Sequence, residues 1–199
     1  MLTDSGEKKY AIHPSSVMMV LILSGITTLF GALVIAFVYS RSRLGMPGIS
    51  IPWLFFINTL ILISAGYSIE QCHKYFMLRL EKRTIRWGYV TILLTLLFLG
   101  MQGVAWYRLL TEQITPGSSG GHGYLYAISI LHFLHVGAGI PFLLRLVIPI
   151  HVGYYQGNAS LFFIDDHIKR KLRHTIWYWH FIDVVWICLM IVFLAGTLI

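Results

Sequence analysis

Apolar residues in this chain do not alternate with polar ones but run together, in five blocks at about 16–39, 52–74, 87–110, 124–148 and 176–198. Blocks of that length predict helices surrounded by hydrocarbon, since roughly 20 helical residues cross about 30 Å of bilayer core. The first block, Ser16 to Tyr39, carries no charge. The second opens at Pro52 and Trp53, which predicts a first-turn proline beside an interfacial aromatic. It turns polar at Glu70, so its tail through His73 is expected at headgroup level. The third runs from Trp87 to Arg108, the fourth from Tyr124 to about Ile148, and the fifth nearly to the last residue. The pattern predicts an all-α, polytopic bundle of five spanning helices. Residues 1–15 are expected to form a cytoplasmic tail and 16–199 a single membrane domain. The stretch 117–123 (Gly-Ser-Ser-Gly-Gly-His-Gly) reads as a turn leading into the fourth helix.

Composition agrees with the pattern. Of 199 residues 57% are hydrophobic and only 12% charged, well outside the soluble range. The first sixteen residues are polar and the first apolar run is too long for a signal-peptide core, so no cleavable signal is expected. Five crossings put the N-terminal tail and the loops 75–86 and 149–175 on one side. That side holds Lys8, Lys9, Lys74, Arg79, Lys82, Arg83, Arg86, Arg145, Lys169, Arg170, Lys171 and Arg173, or 12 of the 15 basic residues. Arg41, Arg43 and Arg108 fall on the other. Lys and Arg gather on the cytoplasmic face, so the N-terminus is expected inside and the C-terminus outside. The net charge of +7 is then a topology signal and an attraction for anionic lipid, not for nucleic acid.

Polar residues inside the blocks are the candidate chemistry. His180 and Asp183 lie three apart on one helix face, where they can meet directly. A carboxylate in the bilayer core costs roughly 2.5–3.5 kcal/mol on insertion scales, so it should face protein or water. A His–Asp hydrogen bond locking the helix to its neighbours is the first reading, and proton handling the second. His132 and His135 repeat the spacing, followed by Gly137, Gly139 and Pro141. Haem b between helices wants facing histidines on separate helices, and a catalytic metal wants three protein ligands. Packing and interhelical hydrogen bonding are expected instead, with the glycines permitting close approach. Pro141 removes the hydrogen bond to the carbonyl of Gly137 and predicts a bend there. Asn58, Thr59, Ser64, Gly66, Ser68 and Glu70 give the second block a packing face, and Gln102 on the third needs a buried partner. Cys72 and Cys188 have no metal spacing and read as small packing residues. No phosphate loop, nucleophile motif or chain of membrane acids is present, so a subunit without its own redox centre is expected.

These residues carry a resemblance. Trp-Tyr-Trp-His-Phe-Ile-Asp-Val-Val-Trp at 177–186 resembles the last-helix signature of haem-copper oxidase subunit III. His-Phe-Leu-His-Val-Gly-Ala-Gly at 132–139 is similar to the family's paired-histidine helix. Asn58-Thr59, Ser64, Gly66 and His73, and then Gln102, fit the patterns of the intervening helices. The resemblance spans about residues 16–199 and matches the five-helix form, found in quinol oxidases and some cytochrome c oxidases. It implies the same orientation, and a subunit with no haem or copper of its own that packs on subunit I near a proton-uptake path. Subunit II and other respiratory subunits are further implied partners. Bound phospholipid, no nucleic acid and a bacterial inner-membrane location are also implied. His73, Gln102, His132, His135, Trp177, Trp179, His180, Asp183 and Trp186 become candidates for structural, lipid or subunit-interface roles, with no catalytic, cofactor or metal residue. A subunit III-like partner of nitric oxide reductase and an autonomous di-haem cytochrome are the alternatives. Three positions depart from the pattern. Gly25 follows Ser24 where the family often has Glu, Ala105 replaces an acid after Gln102, and Arg173 stands where an acid commonly precedes the last-helix Trp. These departures remove the carboxylates through which the family pattern would relay protons, and leave a lipid-filled, stabilising role as what the resemblance implies.

Overall fold

The computed structural model describes residues 14–45 and 49–198. Most of the expected 1–15 tail, with Lys8 and Lys9, lies outside them. The described residues form α1 (Pro14–Leu44), α2 (Leu54–Met77), α3 (Glu81–Thr111), α4 (Gly120–Tyr155), a short 3-10 helix (Ala159–Phe163) and α5 (Asp166–Leu198). All five α-helices are long and apolar enough to cross a membrane, and no strand occurs among the described residues. The chain is an integral membrane protein. In hydrocarbon the backbone must satisfy its own hydrogen bonds, and a helix does so within one segment.

Most helices outrun their apolar blocks. α5 begins at Asp166, ahead of the expected start at 176. Asp165 Oδ1 accepts from the His167 N–H at 2.7 Å, and Lys169 Nζ bonds Asp166 Oδ1 at 3.0 Å. Acids there cap orphan donors and suit the positive end of the helix dipole. α2 begins two residues after Pro52, whose carbonyl accepts from Phe55 N. Pro52 is thus outside the helix, not in its first turn. α4 runs 36 residues through Pro141 and on past Pro149, although each removes a helical hydrogen bond. The 117–123 turn is shorter than expected, because Ser119 caps α4 by accepting from His122 N at 3.2 Å.

α2 and α3 end alike. Arg79 (φ 57°) and Gln113 (φ 60°) take left-handed conformations without being glycine. Leu80 N then bonds Tyr75 O, and Ile114 N bonds Leu109 O, at 3.0 and 2.9 Å. These bonds close the last turns in the Schellman manner. α2 packs most extensively on α3, and α4 bridges α3 and α5. α1 lies against α4 and α5 and is the least covered of the five. Large apolar side chains such as Leu21, Ile35, Leu60, Leu93 and Ile191 stay exposed, which suits a lipid-facing surface.

Candidate functional site

The polar motif residues converge between α2, α3, α4 and α5. In a membrane helix the small and polar face turns inward, because lipid is as apolar as leucine. α3 shows it in the buried stripe Thr84, Gly88, Thr91, Thr95, Phe98, Gln102 and Ala105. Gln102 finds its partner there: Asn58 Nδ2 donates to Gln102 Oε1 at 2.7 Å, both residues being fully buried. About three turns along, Ser68 and Thr91 meet hydroxyl to hydroxyl at 2.7 Å. Trp186 Nε1 donates to Thr59 Oγ1 at 2.9 Å while its ring stacks on Phe55, centroids 5.8 Å apart. Ser64, by contrast, is exposed and bonds its own helix at Leu60 O.

His132 is buried inside an aromatic box. Trp186 lies 4.8 Å away between ring centroids, Phe98 6.0 Å and Phe30 6.2 Å, the last two edge-on. Neither ring nitrogen has a hydrogen-bond partner among the described residues. The interhelical hydrogen bond expected of this pair is therefore not made by His132. His135 does not make it either, since its Nδ1 sits 2.7 Å from Leu131 O one turn back on the same helix. It is the backbone carbonyl of His135 that crosses the gap, accepting from Tyr178 OH at 2.8 Å. Gly139 lets α5 close in: a methyl there would come within 2.5 Å of the Trp179 ring. Gly137, Gly100 and Gly103 have nothing within 4 Å and serve no such approach.

His180 and Asp183 part company. Asp183 folds against Gly66, where a methyl group would overlap its carboxylate, and Oδ1 is buried with no donor among the described residues. His180 turns to α2 instead, with Nε2 3.9 Å from Glu70 Oε2; His73 Nδ1 lies 3.9 Å from the same oxygen. The expected direct His180–Asp183 bond is replaced by contacts to two α2 residues four apart. Glu70, His180 and His73 keep 52%, 44% and 40% of their side chains exposed. Trp177 is also exposed, whereas Trp179 and Trp186 are core. Cys72 is buried with Sγ 3.4 Å from Thr84 O, as a packing residue should be, but Cys188 faces outward.

Two features escaped the sequence reading. The first is the hydroxyl stripe on α3, Thr84, Thr91 and Thr95, whose seven- and four-residue spacing amid leucines was the available signal. The second is a groove of about 340 Å³ between α1 and the facing halves of α4 and α5. Met19, Ile22 and Phe142 form its apolar wall, and Arg145 and Lys171 stand in its lining with no acid among the described lining residues. No local pattern announces it, because its residues come from three distant segments. Among the described residues, no three His, Cys, Asp or Glu side chains gather as metal ligands.

Comparison with known proteins follows the same residues. The family model for cytochrome c oxidase subunit III matches residues 17–196. Cytochrome c oxidase subunit 3 of Arabidopsis thaliana is 31% identical over 141 residues, which is 70% of this chain and 49% of that protein. The Emericella nidulans subunit 3 is 33% identical over 148 residues, 74% of this chain and 51% of that protein. A probable subunit 3 of Rickettsia felis is 30% identical over 143 residues, 71% and 48%. The chain spans about half the length of these curated relatives.

Proposed function

The chain belongs to the cytochrome c oxidase subunit III family, and from that membership we propose that it is the non-catalytic subunit III of a respiratory haem-copper oxidase. It packs on subunit I, with subunit II in the same complex, and leaves haem and copper to those partners. It sustains proton uptake and turnover while oxygen is reduced elsewhere. Its N-terminus is inside and its C-terminus outside, since five crossings put 12 of the 15 basic residues in the sequence on one side, and its membrane is a bacterial inner membrane. The single observation that carries the non-catalytic reading is the fate of the motif residues. Gln102 and Trp186 make internal hydrogen bonds, and His132 and Trp179 are buried in packing against aromatic rings and helix backbone.

The lipid-holding part of the role rests on the groove between α1, α4 and α5. Arg145 and Lys171 suit a phosphate, and the long apolar wall suits an acyl chain. Gly25 leaves the outer face of α1 free of the family's usual acid, and even a methyl group there would touch nothing within 4 Å. That supports a lipid contact at Gly25 in place of proton exchange.

Purification through a tag on this chain tests the reading. The tagged chain should bring down a complex that shows haem absorbance and consumes oxygen, while the chain stripped of its partners shows no haem band. Isolation without any oxidase subunit, or one haem per stripped chain, would contradict it.

A further inference from the structure

Glu70 and Asp183 are the only acids among the described residues that stand more than one turn inside a helix. Glu70 shares one partly exposed face, astride α2 and α5, with His73 and His180, and Asp183 is buried one turn away against Gly66. Above and below this polar island the same helices expose large apolar side chains: Tyr67 and Met77 on α2, Trp177 and Val184 on α5. An ionisable group set in an apolar belt needs protein or water against it, since hydrocarbon offers no hydrogen bond. This chain supplies little. The His73 and His180 nitrogens stop 3.9 Å from Glu70 Oε2, too far for a hydrogen bond. One buried oxygen of Asp183 has no donor among the described residues. Other exposed polar side chains in the spans behave differently. Thr27, Thr28 and Ser64 each donate to the carbonyl four residues back, at 2.8 to 2.9 Å, and so need nothing from outside. The face of α3 around Leu93, Leu96 and Val104 is apolar throughout.

We infer that the α2–α5 face centred on Glu70 and His180 is the docking surface for the haem-bearing partner subunit. A transmembrane helix of that subunit brings a hydrogen-bond donor, cationic or hydroxyl, opposite the Glu70 carboxylate. The inference rests on the oxidase-subunit reading and adds to it the face used and the chemistry required of the partner. Charge complementarity selects this occupant: the half-exposed Glu70 carboxylate with its two imidazole neighbours calls for a donor that a lipid tail cannot supply, while Asp183 lies buried behind it. The small, apolar and self-bonded surfaces of α1 and α3 are left to lipid.

The test uses the intact complex with a photo-crosslinking benzoylphenylalanine placed at Val184, and separately at Leu93. Val184 should give a product containing the haem-bearing subunit, and Leu93 should not. Cross-links from Leu93 but not Val184, or from Val184 only to lipid or to a second copy of this chain, would overturn the docking face. A complex isolated without the chain would instead overturn the oxidase-subunit reading beneath it. A second measurement follows the carboxylate itself. After detergent extraction Glu70→Gln should stay bound near wild-type level, because an amide oxygen still accepts, while Glu70→Leu should lose the chain several-fold. Equal retention of the two variants would overturn the claim of a donor opposite Glu70.

Discussion

Gly66 owes its place to the side chain it lacks, since the carboxylate of Asp183 occupies the space where a methyl group would go. Gly66→Ala should therefore destabilise the folded chain by about 1–3 kcal/mol, the usual range for forcing a methyl into a filled interface. Gly25→Ala is the matched control. Its methyl meets nothing within 4 Å, and Ala is preferred over Gly in a helix by up to about 1 kcal/mol. Thermal unfolding of the two variants in detergent should show a lowered midpoint for the first and an unchanged or raised one for the second. The Asn58–Gln102 pair makes a sharper prediction. Asn58→Leu leaves Gln102 buried without its partner, at about 1–3 kcal/mol, whereas removing both polar groups is nearly neutral. Asn58→Leu with Gln102→Met should thus be more stable than Asn58→Leu alone. A double-mutant cycle that comes out additive would show that the 2.7 Å hydrogen bond contributes nothing.

The five helices were legible because lipid-exposed length is written directly into hydropathy. Their ends were not. α5 gains its first turns from Asp165, Asp166 and Lys169, which lie beyond the hydrocarbon and carry no apolar signal. α2 and α3 are closed off by Arg79 and Gln113, two residues past their last helical residues, whose left-handed backbone no composition rule announces. Gln102 could be read as buried from its surroundings, since an amide in an apolar run must find a partner. Which partner His180 takes could not be read, because spacing along one helix says nothing of Glu70 on another. Orientation is the remaining matter for the helices and loops. In a chain with Cys72 and Cys188 replaced by Ser, Ser118→Cys should react with a membrane-impermeant maleimide on intact cells, and Gln156→Cys only after permeabilisation. The opposite labelling would invert the orientation that the basic residues imply.

Taken whole, the described residues form a bundle with a buried polar interior, a cationic groove at one side and an ionisable island at another, on spanning faces that expose mainly apolar side chains. On the reading proposed above, the molecule completes a larger membrane assembly. An oxidase lacking this chain should therefore keep its haem and copper and start reducing oxygen at a substantial rate. Activity should then decay during turnover, because on the proposed reading the flank this subunit covers becomes exposed and proton delivery fails. The deciding measurement is the oxygen-consumption time course of the depleted complex beside the intact one, with metal content assayed in both. A normal or moderately reduced initial rate followed by progressive loss is the expected result. Immediate and complete loss of oxygen reduction, in a depleted complex that retains all its haem and copper, would contradict the supporting role.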